Sequence, residues 1–340
     1  MSDGRPVRVG VVGTGAISQV VHVPIFAERD DVELVALADA DLHKAESLSR
    51  RFKVPHVCDA DTLIARDDLD AVVLCTPNNL HEDMAIAALR AGKHVFVERP
   101  LATSSAGAAR VIEAADRAGR ILVAGMPHRF RPGVVALRNF IAGGELGDVY
   151  AVRGSWMTRL MPGSRHSWRY DRGAAGGGAL VDLGVPALDL CMWLIGYPPM
   201  KRVSCVTSPK GGGVEDAATL LAESDGGVAL SLEVSNRLFA GDDRYFARVM
   251  GTEGSGSLPP LEVYKQLGGR PIEVTPRQPR PSGGENPYTN AYRRLLDGFV
   301  QSVAGRSAAA LPHEQVALME LIEAAYRAAE LGREVELSRA

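Results

Sequence analysis

The residues best suited to chemistry begin at Glu98-Arg99-Pro100, directly after the apolar run Val95-Phe96-Val97. In open α/β sheets ligands bind beyond the carboxyl ends of strands, so charged side chains just past such a run are candidates for a site. A guanidinium there can hold or polarise an oxygen, but it stays protonated and cannot serve as a base. Arg99 is therefore a working residue, a substitute for one, or the mark of a lost reaction. A second set opens the chain, where Val7–Val12 (VRVGVV) runs into Gly13-Thr14-Gly15-Ala16-Ile17-Ser18. This is a GxGxxG-like turn with serine for the third glycine, and Ala16 and Ile17 complete it. Gly13 permits the tight turn, Gly15 lets the backbone approach a pyrophosphate, and the third position needs only a small residue. Asp39 ends the next β-rich run, about 20 residues further on, where an acid hydrogen-bonds the ribose hydroxyls of an adenosine. The alternative for Asp39 is capping of the following helix through Asp41-Leu42-His43. Its charge would repel a ribose phosphate and no Arg follows immediately, so the set reads as an NAD site, with NADP less favoured. Cys75-Thr76-Pro77-Asn78-Asn79-Leu80-His81 can line the same groove with small polar residues and a fixed turn. His81 either contacts the ligand or only helps to start the helix after it.

These sets need a parallel sheet to hold them, and the first third of the chain has its pattern. Short β-rich runs at Val7–Val12, Glu33–Asp39, Ala71–Cys75, His94–Val97 and Ile121–Gly125 alternate with helical segments, among them Leu80–Gly92 and Ser104–Gly119. The expected fold class is α/β, with a doubly wound N-terminal domain over residues 1–126. After it come a helix over Pro132–Gly143 and β-like runs at Tyr150–Met157, Arg202–Thr207, Ala217–Ala222, Val228–Ser235 and Tyr245–Met250. Turns such as Asp225-Gly226-Gly227 favour antiparallel pairing. Helices over Tyr288–Ala304 and His313–Gly332 close the chain and can pack back toward the first domain, and Gly268–Pro287 reads as a loop. Residues 127–340 are expected to form a substrate-binding and oligomerisation domain. At 340 residues, 46% hydrophobic and 23% charged, with a net charge of −3, the chain has a large core and no broad attraction for nucleic acid or anionic membrane. A small-molecule ligand is favoured. Cys58, Cys75, Cys191 and Cys205 stand singly with apolar neighbours, lack metal-site spacing and read as reduced core residues. The N-terminus has no secretory pattern and no later apolar run is read as long enough to span a bilayer, so the expectation is a cytoplasmic protein.

The combination of GTGAIS, CTPNNLH, ERP and WRYDRGAAGGGALVDLGVPALDL resembles the glucose-fructose oxidoreductase and inositol 2-dehydrogenase superfamily (Gfo/Idh/MocA). The similarity covers nearly the whole chain, including Gly125-Met126, Arg129-Phe130, Ala324-Ala325-Tyr326 and Gly332-Arg333. The resemblance implies a Rossmann domain and a second α/β domain with a large, mostly antiparallel open sheet. Association into homodimers or homotetramers through that sheet is also implied. The implied activity is hydride transfer between a nicotinamide and a hydroxyl or carbonyl of a sugar, cyclitol or related small metabolite. Glu98 and Arg99 would border the cofactor, while Arg129, Trp168, Arg169, Asp182, Pro186 and Asp189 would stand on the substrate side.

Two positions depart from the family pattern. The usual Glu-Lys-Pro is Glu98-Arg99-Pro100, and GGGxLxDxGxHxxD is matched by Gly176-Gly177-Gly178, Leu180, Asp182, Gly184, Pro186 and Asp189, so the histidine is Pro186. In typical members that lysine lies beside the nicotinamide and the substrate hydroxyl, and the histidine exchanges the hydroxyl proton. Pro186 has no titratable group and ends that relay. Asp182 is the first replacement candidate, since the matching family aspartate faces substrate and an adjacent Arg99 would hold it ionised and positioned. Its alternative is a carboxylate capping a helix that begins near Val185-Pro186, where proline is favoured. His166, on an apparent loop beside the glycine run, is a second candidate, with a functionless exposed histidine as its alternative. Tyr170, Tyr288 and Tyr292 can donate a hydroxyl, although packing is the simpler role. Asp189 would support the site from the helical face of Pro186. His94 is expected to pack on its strand and His128 to border the cleft. Trp156, Trp168 and Trp193 form either core or a sugar-stacking wall. Three functions remain open: an NAD-dependent oxidoreductase, an enzyme using tightly bound NAD for elimination, epimerisation or glycoside cleavage, and an inactive NAD-binding sensor. The in-pattern Glu98, Pro100, Trp168-Arg169, triple glycine, Asp182 and Asp189 favour the enzymes.

Overall fold

Runs such as VRVGVV and AVVL lack the alternation of half-exposed strands because both faces of their sheet are covered. In this computed structural model, which describes residues 5–159, 167–208, 213–278 and 286–337, they form a parallel sheet. Its strands are β1 (Val7–Val12), β2 (Val32–Ala38), β3 (His56–Cys58), β4 (Ala71–Leu74), β5 (His94–Glu98) and β6 (Leu122–Gly125), in the order β3-β2-β1-β4-β5-β6. The order reverses between β1 and β4, which opens a crevice at their carboxyl ends. Helices α1 (Val23–Ala27), α2 (Leu42–Phe52), α3 (Ala60–Ala65), α4 (His81–Arg90) and α5 (Ser105–Ala118) lie between the strands. The ends of α5 follow side-chain chemistry: Ser104 accepts from the Gly107 N–H, and Gly119 closes the helix in the left-handed conformation.

The chain divides into two compact units, Met1–Met126 with Thr289–Gln315, and Pro127–Tyr288 with Val316–Ala340. The expected second domain of residues 127–340 therefore cedes an internal segment to the first unit. Most of that segment belongs to the helix Pro287–Val303, which buries Ala291, Tyr292, Leu295, Leu296, Phe299 and Val300 at helical spacing.

The helix Pro287–Val303 of the first unit is α9; the second unit contains α6 (Pro132–Ala142), α7 (Arg172–Ala175), α8 (Val185–Leu194) and nearly all of α10 (Glu314–Leu331). Its strands are β7 (Val149–Arg159), β8 (Met200–Ser208), β9 (Ala217–Ser224), β10 (Ala229–Leu238), β11 (Arg244–Gly251), β12 (Gly254–Leu258), β13 (Glu262–Leu267), β14 (Arg270–Glu273) and β15 (Val335–Glu336). Among the described residues they form a nine-stranded sheet, β14-β13-β12-β11-β7-β10-β9-β8-β15, antiparallel throughout except where β10 pairs with β7. β14 corrects the reading of Gly268–Pro287 as a loop. Gly268 and Gly269, at φ 58° and 78°, make the two-residue turn with positive φ at both central positions that returns the strand, and Leu267 pairs with Arg270.

Two prolines shape helix entry in the same way. Pro24 and Pro186 each lack the N–H that an α-helix needs and crowd the carbonyl four residues back. Each is preceded by a widened π-turn, Ser18–His22 in one case and Leu180–Gly184 in the other. In the first, the Val23 N–H reaches back five residues to the Ser18 carbonyl. The second turn passes into α8, whose residues are nearly all buried. This amends the reading that no apolar run has bilayer length: the stretch Arg172–Leu194 does, and 89% of its most apolar window is buried inside the protein, as in a core helix.

The triple glycine before this turn answers to packing. A Cβ on Gly177 would lie 2.0 Å from the Tyr326 hydroxyl, and one on Gly178 would lie 2.1 Å from the Glu215 carbonyl oxygen. Gly178→Ala should therefore destabilise the fold by about 1–3 kcal/mol through overpacking against backbone. Exposed Gly298 within α9 has nothing within 4 Å of its Cβ position, so Gly298→Ala should stabilise it by about 0.5–1 kcal/mol. Urea unfolding of both variants beside the wild type tests the opposite signs.

Candidate functional site

The glycine turn at the end of β1 is built around close approach on one side and open space on the other. Gly13 has φ 91°, donates to the Ala38 carbonyl at 2.7 Å, and leaves room for only 2.5 Å between a Cβ and the Cys75 carbonyl oxygen. Gly15 is exposed, with no protein atom within 4 Å of its Cβ position. Ala16 is exposed and Ile17 half-buried, while the Ser18 hydroxyl folds back to donate to the Gly13 carbonyl. Asp39 braces this turn, accepting from the Thr14 N–H at 2.7 Å and the Thr14 hydroxyl at 2.9 Å, while its other oxygen accepts from the Asp41 N–H. The N-cap of α2 is Asp41, not Asp39.

Across the switch point, the Thr76 hydroxyl oxygen is buried without a hydrogen-bond partner. An orphaned hydroxyl beside an open glycine turn fits a ligand that supplies both phosphate and hydroxyl groups. Pro77 precedes a short helical turn, Asn78–Leu80, in which Asn78 is buried. His81 takes neither of its expected parts in simple form. It is buried, with Nδ1 2.7 Å from the Pro100 carbonyl oxygen and Nε2 2.9 Å from that of Thr76. Burial pushes its pKa down against the pull of those carbonyls. The ring thus fastens one loop of the groove to the other, and both nitrogens are spent on protein.

Glu98 likewise faces inward. One carboxylate oxygen is 2.7 Å from His22 Nε2, and the other accepts from the Tyr292 hydroxyl at 3.0 Å. Burial opposes the charge on His22, but the Cys75 sulfur and the Glu98 carboxylate outweigh it and raise the imidazole to about 10. Burial also opposes the charge on Glu98, and His22, Arg99 and Tyr292 bring its carboxyl below the ordinary value. Edge contacts from Phe96 and Tyr292 enclose the imidazole. Both carboxylate oxygens of Glu98 are thus engaged by the protein interior, which supports the groove from beneath. Arg99, the next residue, is half-buried at the carboxyl end of β5. His94 accepts from the Ile121 N–H, which ties β5 to the start of β6. Cys191 and Cys205 are buried, whereas Cys58 and Cys75 are half-buried rather than core residues.

In the second unit a cavity of about 510 Å³ is lined by Thr158, Arg169, Tyr170, Asp182 and Asn236. Asp182 lies 3.5 Å from the Arg169 guanidinium, which packs over the Trp168 ring at 4.6 Å. Asp182 sits in the first turn of the π-helical segment Leu180–Gly184, whose N-cap is Ala179. The cation beside it in this unit is Arg169. Pro186 is buried in α8 and does not line this cavity. Asp189 is fully buried, takes a bidentate contact from Arg129 and accepts from the Tyr197 hydroxyl. Arg129 and Asp189 are therefore joined in the interior. His128 is buried edge-on to Trp156 at 4.7 Å and beside Tyr288 at 5.9 Å, and Trp193 packs under Arg138. His166 lies outside the described residues. Glu215, which motif reading passed over, completes the frame together with Tyr326. Buried Glu215 accepts from the Gly178 and Leu180 N–H groups and from the Tyr326 hydroxyl at 2.7 Å, fixing the helical entry that carries Asp182. Burial, with Glu215 beside it, pushes the Tyr326 phenol up.

A cavity of about 550 Å³ between α4 and α5 is lined by Arg90, Arg110, Arg117 and Arg120. Arg90 and Arg117 occupy helix C-terminal turns, where cations complement the dipole, and Arg110 and Arg117 pair with Glu82 and Glu113. It is a solvated face without reactive groups.

Comparison with known proteins agrees with this geometry. Residues 7–126 match the oxidoreductase family with an NAD-binding Rossmann fold, and residues 134–257 match the GFO/IDH/MocA C-terminal domain. The dTDP-3,4-didehydro-2,6-dideoxy-alpha-D-glucose 3-reductase of Streptomyces violaceoruber is 30% identical over 96% of each chain. The chain belongs to the Gfo/Idh/MocA oxidoreductase family. D-glucoside 3-dehydrogenase of Escherichia coli K12 is 28% identical over 98% of each chain. Among solved structures, GenD2 from gentamicin A biosynthesis, in complex with NAD, is similar at a TM-score of 0.84 and 30% identity over 98% of this chain and 97% of that one. Levoglucosan dehydrogenase in complex with NADH and L-sorbose has the same fold at a TM-score of 0.86 and 23% identity, covering 99% and 100%. This family member is an oxidoreductase whose first unit is an NAD-binding Rossmann domain.

Glu98→Gln, which keeps volume and removes charge, should lower unfolding free energy by about 3–5 kcal/mol, as expected for breaking a buried pair. The share of stability that His22 contributes is complete below its free value of 6.5 and declines as pH rises through about 10. Glu98 contributes fully above 4.5 and loses its share on acidification. Urea midpoints should therefore form a plateau between those limits, and His22→Gln should abolish the alkaline decline.

Proposed function

We propose that the protein is an NAD-dependent oxidoreductase acting on a hydroxyl or carbonyl of a sugar, cyclitol or related small metabolite, with proton handling by residues other than the usual lysine and histidine. The observation that carries this reading is Asp182, in a cavity with Arg169 at 3.5 Å and Tyr170 on the wall. NAD, when bound, supplies the hydride acceptor. Asp182 takes the proton from the substrate hydroxyl in oxidation and returns it in reduction, and Arg169 restricts the rotation of the carboxylate. Arg99 contributes a fixed cation that orients oxygen without exchanging protons. The relatives named for sugar dehydrogenation and reduction support the substrate class. Asp39 and Asp41 beside the glycine turn favour NAD over NADP, because a ribose phosphate would meet two negative charges.

Purified protein incubated with NAD and a panel of methyl β-D-glucoside, levoglucosan and myo-inositol should form NADH with at least one. Substrate consumption without net NADH would instead indicate transient oxidation, and NAD binding with no turnover would indicate a sensor. Asp182→Asn should lower kcat by roughly 10²-fold or more while NADH affinity by fluorescence titration stays unchanged.

Self-association belongs to the same reading. The side of the large sheet away from α8 exposes Val206, Leu221 and Phe246 at 63%, 58% and 46%. Exposed apolar groups on one open face suit a second copy of the chain. Sedimentation should give a dimer or tetramer, and the double variant Leu221→Glu with Phe246→Glu should shift it toward monomer.

A further inference from the structure

The inner faces of β7 and β10 follow strict alternation until they reach the cavity. On β7 the inner positions are Val152, Gly154, Trp156 and Thr158; on β10 they are Leu230, Leu232, Val234 and Asn236. Gly154 packs on Cys191 of α8 and Val234 pairs with Trp156, so the apolar part of each series lies under the helix. Both series end in a polar residue at the cavity.

The end of β10 is also bulged. Ser235 pairs with Met157 and Leu238 with Arg159, so Asn236 and Arg237 together oppose the single residue Thr158. A bulge beside a cavity re-aims the side chain it carries. This one is held from the neighbouring strand: the Asn236 N–H donates to the Asp216 carbonyl at 2.9 Å, and the Arg237 guanidinium donates to the Asp216 carboxylate at 3.0 Å. Asn236 nevertheless keeps its side-chain oxygen buried without a hydrogen-bond partner while lining the cavity. A buried amide oxygen left without a donor is unfavourable unless a ligand or water supplies one.

We infer that Asn236, with Thr158 beside it, is a specificity-determining subsite that binds a substrate hydroxyl other than the one oxidised. The inference rests on the proposed function and names the substrate as polyhydroxylated. Asp182 as an acceptor, Arg169 as a donor 3.5 Å from it and Asn236 as a second acceptor line the same cavity. Such spaced acceptors and donors match several hydroxyls of one ring and would leave a monohydroxy alcohol unanchored.

The test uses the full chain with NAD, and methyl β-D-glucoside, levoglucosan, myo-inositol and their monodeoxy analogues as probes. Binding is read by calorimetry and turnover by NADH absorbance. Asn236→Leu should raise Kd and KM roughly tenfold, as for a lost hydrogen bond, with kcat and NAD affinity little changed. One monodeoxy analogue should bind the wild type as weakly as it binds Asn236→Leu, because the missing hydroxyl and the missing amide are partners. Asn236→Asp, which retains an acceptor, should keep the preference for the parent ring, and the thermal midpoint of each variant checks folding. Turnover indifferent to Asn236→Leu, with every deoxy analogue affected equally, overturns the subsite and leaves the function standing. Binding that depends on Asn236 without any NADH supports the subsite and overturns the function. Failure of the wild type to bind any probe overturns both.

Discussion

A carboxylate taken out of water must find donors or take up a proton, and that constraint organises both units. In the first, Glu98 satisfies it with His22 and Tyr292, residues drawn from the helical entry after the glycine turn and from α9. One side chain thus joins the end of β5 to the element behind the cofactor turn and to a helix that returns from far along the chain. Glu215 does the same in the second unit. Its donors are the Gly178 and Leu180 N–H groups and the Tyr326 hydroxyl, so it caps the entry to the helix carrying Asp182. Removing either carboxylate would orphan several groups at once, and glycines pack closely against both residues. A Cβ on Gly125 would press on Glu98, and one on Gly178 on the Glu215 backbone.

The prolines act on the same two entries. Pro24 and Pro186 each stand just after a π-turn, so His22 and Asp182 project from widened rather than regular helix. Widened turns change the direction in which a side chain leaves the helix. Pro186, where the resemblance places a histidine, therefore acts as a backbone constraint one turn after Asp182. The π-turn that carries Asp182 and the proline that follows it belong to one local arrangement, with Arg169 beside the carboxylate.

Much of this was readable from residues alone where the determinant is local. Runs covered on both faces, helix caps such as Ser104 and Gly119, and the Gly13 turn each carry their own signal. The paired glycines Gly268-Gly269 carried one too, the mark of a tight hairpin, but the surrounding prolines and glycines gave the segment the look of a loop. Other determinants are not local. Nothing near His22 announces Glu98 in sequence, and nothing near Glu215 announces Tyr326; these pairs exist only after the chain has folded. The partners of Glu98 are illegible for a related reason. β5 is buried almost throughout, so it has no alternation from which the inward direction of Glu98 could be read. His81 matched a motif whose position was right, yet its nitrogens serve the loops rather than a ligand.

The large sheet separates stability from selection along single strands. Val152 and Gly154, or Leu230 and Leu232, bury against the helix, and a change there would create a cavity or a clash. Thr158 and Asn236 continue the same faces to the cavity that both of them line. Because the bulge at Asn236 is secured by Asp216 from the adjacent strand, the identity of residue 236 can vary without loosening the backbone beneath it. A scaffold arranged this way fixes the helical entry that carries Asp182 through Glu215 and, in the proposed reading, leaves positions 158 and 236 open to exchange. That gives a physical basis for one fold serving reductases and dehydrogenases of different sugars.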